Sequence, residues 1–128
     1  MSFKVEKVSG EPIIVAIMYE DYDLAQELHP SNAAAAKILE EHNESMTLIV
    51  DLRCNLNLEE MMIGAAGTSR GEASLYHDPR LRGVVYVTTN PAIQLGLKGL
   101  NSEAYNYLKI PSFETLGDAL DYVRGRTG

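Results

Sequence analysis

The chain of 128 residues has few of the features that would fix a function from composition alone. It contains a single cysteine, Cys54, which excludes an internal disulfide and a zinc site built from several cysteines, and agrees with a reducing compartment. No apolar run approaches the length of a membrane span, and Lys4 and Glu6 stand where a signal peptide would have its apolar core. We therefore predict a cytoplasmic protein with no membrane partner.

Basic residues are also scarce, with 11 lysines and arginines against 18 acidic residues and a net charge of −7. This charge repels phosphate backbones, and no cluster of arginines offsets it locally, so we predict no nucleic-acid partner. The three histidines, His29, His42 and His77, stand apart and lack the spacing of metal ligands. We predict no metal and no cofactor.

Short apolar runs that alternate with stretches of helical character are the main positive feature. The four runs are Ile13–Met18, Met46–Leu52, Val84–Thr88 and Tyr105–Ile110. Because parallel neighbours need a crossover of a dozen or more residues, this alternation predicts one α/β domain over residues 1–128 with a mostly parallel sheet of about five strands. The alternating residues Phe3–Val8 and the turn at Ser9–Pro12 add an N-terminal hairpin with an edge strand.

About four helices are expected between and after these strands. Ser31 or Asn32 can cap the first of them, and the irregular stretch Tyr19–Pro30 before it has room for an additional short helix at Leu24–Leu28. A glycine-rich helix is expected over Leu58–Leu75. The other two helix starts are Thr89–Pro91 and Thr115 with Asp118.

This order of elements resembles the STAS domains of anti-sigma-factor antagonists and sulphate-transporter tails, and more closely the SpoIIAA-like proteins. The likeness covers the hairpin Phe3–Met18, the central strand Leu48–Leu52, the entry Asp78–Val87 to the next strand and the last helix Phe113–Val123. The resemblance implies a non-catalytic module that binds proteins or small ligands. The serine that is phosphorylated in anti-sigma-factor antagonists has no counterpart in Arg53–Glu60, so no phosphorylation switch is implied.

Polar residues at the predicted strand ends are the best candidates for a ligand site, because open α/β sheets bind ligands beyond the carboxyl ends of their strands. They are Asp51, Arg53, Cys54, Thr89 and Asn90. In a purely structural alternative, Asp51 pairs with Arg53 while Thr89 and Asn90 cap a helix. Cys54 would be a nucleophile only beside an activating histidine, and an ordinary part-buried thiol is the favoured interpretation. We predict no catalytic residue.

Two functions follow as hypotheses. The first is a regulatory or scaffold module that binds a partner protein or a second copy of itself, through interface residues expected at Met61, Met62, Gly64, Gly67, Tyr105 and Tyr107. If the helices lie mainly on one face of the sheet, a homodimer is the simplest cover for the other face. The second is a small-molecule-binding protein or small enzyme that uses the strand ends, which predicts a closed pocket with converging side chains and a shifted pKa.

Overall fold

The computed structural model describes residues 2–54, 59–60, 78–99 and 110–127. In chain order the elements are β1 (Phe3–Lys7), β2 (Ile13–Met18), α1 (Leu24–His42), β3 (Met46–Leu52), β4 (Leu81–Val87), α2 (Pro91–Gly99), β5 (Ser112–Phe113) and α3 (Leu116–Thr127). The predicted α/β class is confirmed, with three helices in these ranges rather than about four. The predicted helix Leu58–Leu75 lies outside the described residues, apart from Glu59 and Glu60.

The five strands form one sheet in the order β1-β2-β3-β4-β5. β1 runs antiparallel to β2, and the other neighbours are parallel, with Val15 opposite Ile49 and Ile49 opposite Val85. Gly10 in the β1–β2 turn has a φ of 76°, a conformation that glycine adopts without steric cost. The predicted hairpin is therefore confirmed, with β1 at an edge of the sheet.

Both faces of the sheet carry buried side chains. On the first face, Ile14 and Leu48 pack with Leu39 of α1 and Ile93 of α2. The core of the second face contains residues of β2, β3, β4 and α3, namely Ile13, Val15, Ile17, Ile49, Val85, Val87, Ala119 and Val123. Two of the three described helices thus lie on the first face, but α3 buries the second face within one chain, so that face is not left for a partner to cover.

Chain connectivity explains this distribution of helices. The parallel strands follow one another in a single direction across the sheet, and right-handed crossovers then place the connecting helices α1 and α2 on the same face. α3 follows the last strand, connects no pair of strands, and packs on the opposite face. The homodimer itself stays a prediction, but an uncovered sheet face no longer supports it.

Two local predictions were wrong. α1 is one continuous helix through Pro30, where two helices were expected. Ser31 does not cap a helix start: its hydroxyl donates to the carbonyl of Leu28 at 3.0 Å and lies 3.0 Å from the hydroxyl of Tyr22, inside the helix. The buried contact with Tyr22 links the helix just after the proline to the segment that precedes α1.

The sequence did not predict the last described strand. β5 is Ser112–Phe113, paired with Tyr86 and Val87, and Ile110 is buried outside any strand. Residues 105–109 of the predicted strand lie outside the described residues. In the ranges the structure covers, no helix has the length and apolar character needed to cross a membrane.

Candidate functional site

A cleft of about 650 Å³ lies at the carboxyl ends of β3 and β4. All five predicted ligand-site residues line it: Asp51, Arg53, Cys54, Thr89 and Asn90. The remaining lining residues are Leu52, Val87, Thr88, Pro91, Glu114, Thr115 and Leu116. The predicted convergence at the strand ends is present, but the cleft is open to solvent rather than closed.

Asp51 and Arg53 form an ion pair at this cleft. Because side chains alternate along a strand, residues 51 and 53 leave β3 on the same side. The Nε and Nη2 atoms of Arg53 lie 3.1 Å from Oδ2 of Asp51, whose side chain is 6% exposed, while that of Arg53 is 48% exposed. The Arg53 guanidinium also lies 5.6 Å from the centre of the Tyr19 ring. The carboxylate and the ring thus fix the position of the guanidinium.

One edge of that guanidinium is still available to a ligand. Nε makes one contact to Asp51 and Nη2 makes the other, while Nη1 makes no hydrogen bond to any residue that the structure describes. A guanidinium cannot be deprotonated at ordinary pH and donates through all of its N–H groups. Arg53 can therefore donate a charge-assisted hydrogen bond into the cleft without leaving Asp51.

Asn90 and Thr88 form the N-terminal capping hydrogen bonds at the start of α2. Oδ1 of Asn90 accepts a hydrogen bond from the amide of Ala92 at 2.9 Å. The backbone carbonyl of Asn90 accepts from the amides of Ile93 and Gln94 at 3.1 Å. The buried Thr88 hydroxyl accepts from the amide of Asn90 at 3.0 Å. These bonds satisfy the first amides of the helix, so the capping role considered for Asn90 is present. The exposed Thr89 has no such bond in the described part of the chain.

Cys54 is a buried thiol in the wall of the cleft. Burial raises its pKa to about 11, because a thiolate loses its hydration there. The predicted pKa shift at this site is therefore present, but its direction keeps the thiol protonated. This agrees with the ordinary part-buried thiol that the sequence favoured, and the neutral group can contribute only weak hydrogen bonding and packing.

The start of α3 forms the opposite wall, which the sequence did not assign to a site. Thr115 caps α3 as predicted, because its Oγ1 accepts a hydrogen bond from the amide of Asp118 at 3.1 Å. Glu114 and Leu116 complete this wall. The position follows from β5, whose two residues pair with the end of β4, and so short a strand leaves no clear sequence pattern.

The expected interface residues Met61, Met62, Gly64, Gly67, Tyr105 and Tyr107 lie outside the described residues. Among residues 2–54, 59–60, 78–99 and 110–127, no group of three or more histidine, cysteine or carboxylate side chains is placed to hold a metal ion.

Comparisons with protein-family models, curated proteins and solved structures found no match to this chain. The STAS-like resemblance accordingly stays a prediction. The architecture defines the class of the protein as an α/β domain with a mixed five-stranded sheet and a polar cleft at its strand ends.

Proposed function

We propose that this protein is a non-catalytic regulatory module that binds a small polar molecule in the cleft at the carboxyl ends of β3 and β4. The observation that carries the proposal is the convergence of five polar or thiol side chains, predicted from the strand ends, on one concavity. Its volume of about 650 Å³ lies within the roughly 300 to 1,000 Å³ typical of small-molecule sites.

The chemistry of the lining favours a ligand with a hydrogen-bond acceptor. Nη1 of Arg53 and the hydroxyl of Thr89 are donors that face no partner within the described part of the chain. Leu52, Val87 and Leu116 offer apolar contact area beside them. A small carboxylate or a neutral polyol would match a few donors set in a partly apolar cleft.

The raised pKa of Cys54 and the hydrogen bonds of Asp51 and Asn90 support binding rather than catalysis. A nucleophilic cysteine needs a lowered pKa or an adjacent base, and the pKa of Cys54 is raised. Asp51 accepts from Arg53, and Asn90 caps α2, so both side chains have structural partners. We place the protein in the cytoplasm, as the single unpaired cysteine suggests.

Ligand-observed NMR on the purified chain, with small carboxylates, polyols and nucleosides as separate probe sets, tests the proposal. We expect at least one set to bind, and Arg53→Met to weaken that binding by roughly tenfold, the effect of one charge-assisted hydrogen bond of about 1.5 kcal/mol. Thr89→Val should weaken it less, because a hydroxyl is a neutral donor.

Arg80→Met is the matched control. Arg80 also pairs with an aspartate two residues before it, with its Nε and Nη2 atoms 3.1 and 3.0 Å from the Asp78 carboxylate, but it precedes β4 at the opposite end of that strand. Binding should survive this variant. If no probe set binds, or if Arg80→Met reduces binding as much as Arg53→Met does, the cleft is not the ligand site.

A further inference from the structure

The outer edge of β1 is a candidate interface, independent of the ligand cleft. β1 is the first strand of the sheet, and no described residue pairs with its outer side. Its sequence is Phe-Lys-Val-Glu-Lys, with Phe3 and Val5 packed against the first-face core and Lys4 and Glu6 exposed. We propose that β1 joins the β1 strand of a second copy of this chain in antiparallel register, with Val5 opposite the partner's Val5.

The hydrogen bonds of the hairpin show which backbone groups point outward. The amide of Val8 donates to the carbonyl of Ile13, its opposite residue, at 2.8 Å, and Tyr19 donates to its opposite residue Ser2 at 2.9 Å. In an antiparallel ladder, such hydrogen-bonded pairs alternate with pairs that make no bonds to each other. Lys4 and Glu6 therefore bond to β2. The amides and carbonyls of Phe3, Val5 and Lys7 point away from the sheet.

The proposed register uses all three outward residues. With Val5 opposite the partner's Val5, Phe3 lies opposite the partner's Lys7 and Lys7 opposite the partner's Phe3. Each of these three pairs can exchange two backbone hydrogen bonds. A two-fold axis through the Val5 pair relates the copies, as a closed dimer requires.

Charge selects this register over its neighbours. Lys4 lies opposite the partner's Glu6, in a pair without mutual backbone bonds, where side chains are closest. A shift of two residues would place Lys4 against the partner's Lys4, or Glu6 against the partner's Glu6. Like charges directly opposite each other destabilise a strand pair. Of these three registers, only the proposed one avoids placing Lys4 or Glu6 against its own copy.

Charged side chains on an edge strand commonly prevent pairing with other chains. In β1, however, the two exposed charges have opposite signs and stand symmetrically about Val5. They lie 3.4 Å apart within the chain, and both side chains are about half exposed, so water already screens that contact. Little is lost when each charge turns to the partner's strand.

Sedimentation across a concentration series, with charge-reversal variants, tests the proposal. The native chain should dimerise reversibly, and Lys4→Glu or Glu6→Lys should each raise the dimer Kd at least about tenfold, since two cross-strand pairs become repulsive. Mixed together, these two variants should form a heterodimer, because every opposed pair is again of opposite charge. A native chain that stays monomeric at high micromolar concentration, or a mixture that does not associate, would overturn the proposal.

Amide hydrogen exchange on the native chain provides a test without any substitution. The amides of Lys4 and Glu6 bond to β2 and should be protected at every concentration. Those of Phe3, Val5 and Lys7 should exchange quickly in dilute solution and become protected as the dimer forms. Dimerisation without protection of these three amides would place the interface elsewhere and refute the β1 pairing. This result is independent of the ligand cleft.

Discussion

Replacement of Pro30 by alanine tests the unbroken α1 helix directly. α1 begins at Leu24, so Pro30 is its seventh residue, well past the first turn in which proline is tolerated. Proline has no amide to donate to the carbonyl of Gln26 and its ring crowds that carbonyl, at a cost of about 3 kcal/mol relative to alanine in a helix interior. The replacement removes this cost but also makes the unfolded chain more flexible, which offsets up to about 1 kcal/mol of the stabilisation. We expect Pro30→Ala to raise the free energy of unfolding by about 2 kcal/mol.

Urea unfolding followed by circular dichroism measures this change. With a typical slope of about 2 kcal/mol per molar urea, the midpoint should move up by about 1 M. His29→Ala places alanine at the adjacent exposed position and should shift the midpoint by no more than a quarter of that, since histidine costs a helix only about 0.5 kcal/mol relative to alanine. An unchanged or lower midpoint for Pro30→Ala would show that the helix is interrupted at residue 30, as the sequence alone predicted.

Two further predictions concern the walls of the cleft. Because its pKa is raised from 9.0 to about 11, Cys54 should have about a hundredfold less thiolate at pH 7 than an unperturbed cysteine, and its alkylation by iodoacetamide should be slower by at least that factor. The alkylation rate should rise about tenfold per pH unit up to pH 11, and a native rate equal to that of the urea-unfolded chain would contradict the burial of the thiol. Asn90→Ala removes the side-chain cap of α2 and should lower the free energy of unfolding by about 1 kcal/mol in urea titration, whereas no loss would show that this bond to Ala92 adds nothing to stability.

The buried strands were predictable because burial on both faces leaves a continuous apolar signal. Ile13–Met18 and Met46–Leu52 have the predicted bounds, and every residue of these two strands except Leu52 is buried. The end of β4 was predicted to within one residue for the same reason. The sequence predicted an element correctly where the residues that determine that element lie within one short segment of the chain.

The errors arose where distant contacts decide local structure. Pro30 is normally a helix breaker, but Ala35 and Leu39 beyond it are buried in the first-face core, and Tyr22 before it contacts Ser31. β5 is defined by the amides of Tyr86 and Thr88, which donate to the carbonyls of Pro111 and Phe113. No pattern within two residues could reveal such pairing.

The position of the cleft follows from the same topology that covers both faces of the sheet. α2 leaves the end of β4 toward the first face, where Ile93 and Leu97 are buried, while α3 starts beside β5 and packs on the second face. Two helices that depart to opposite faces from neighbouring strands leave a space between their first turns, the geometry by which open α/β sheets form ligand sites. Here that space is lined by the caps of both helices and by the Asp51–Arg53 pair. Residues that secure the fold therefore also shape the cleft, so a ligand bound there would stabilise the starts of α2 and α3 together.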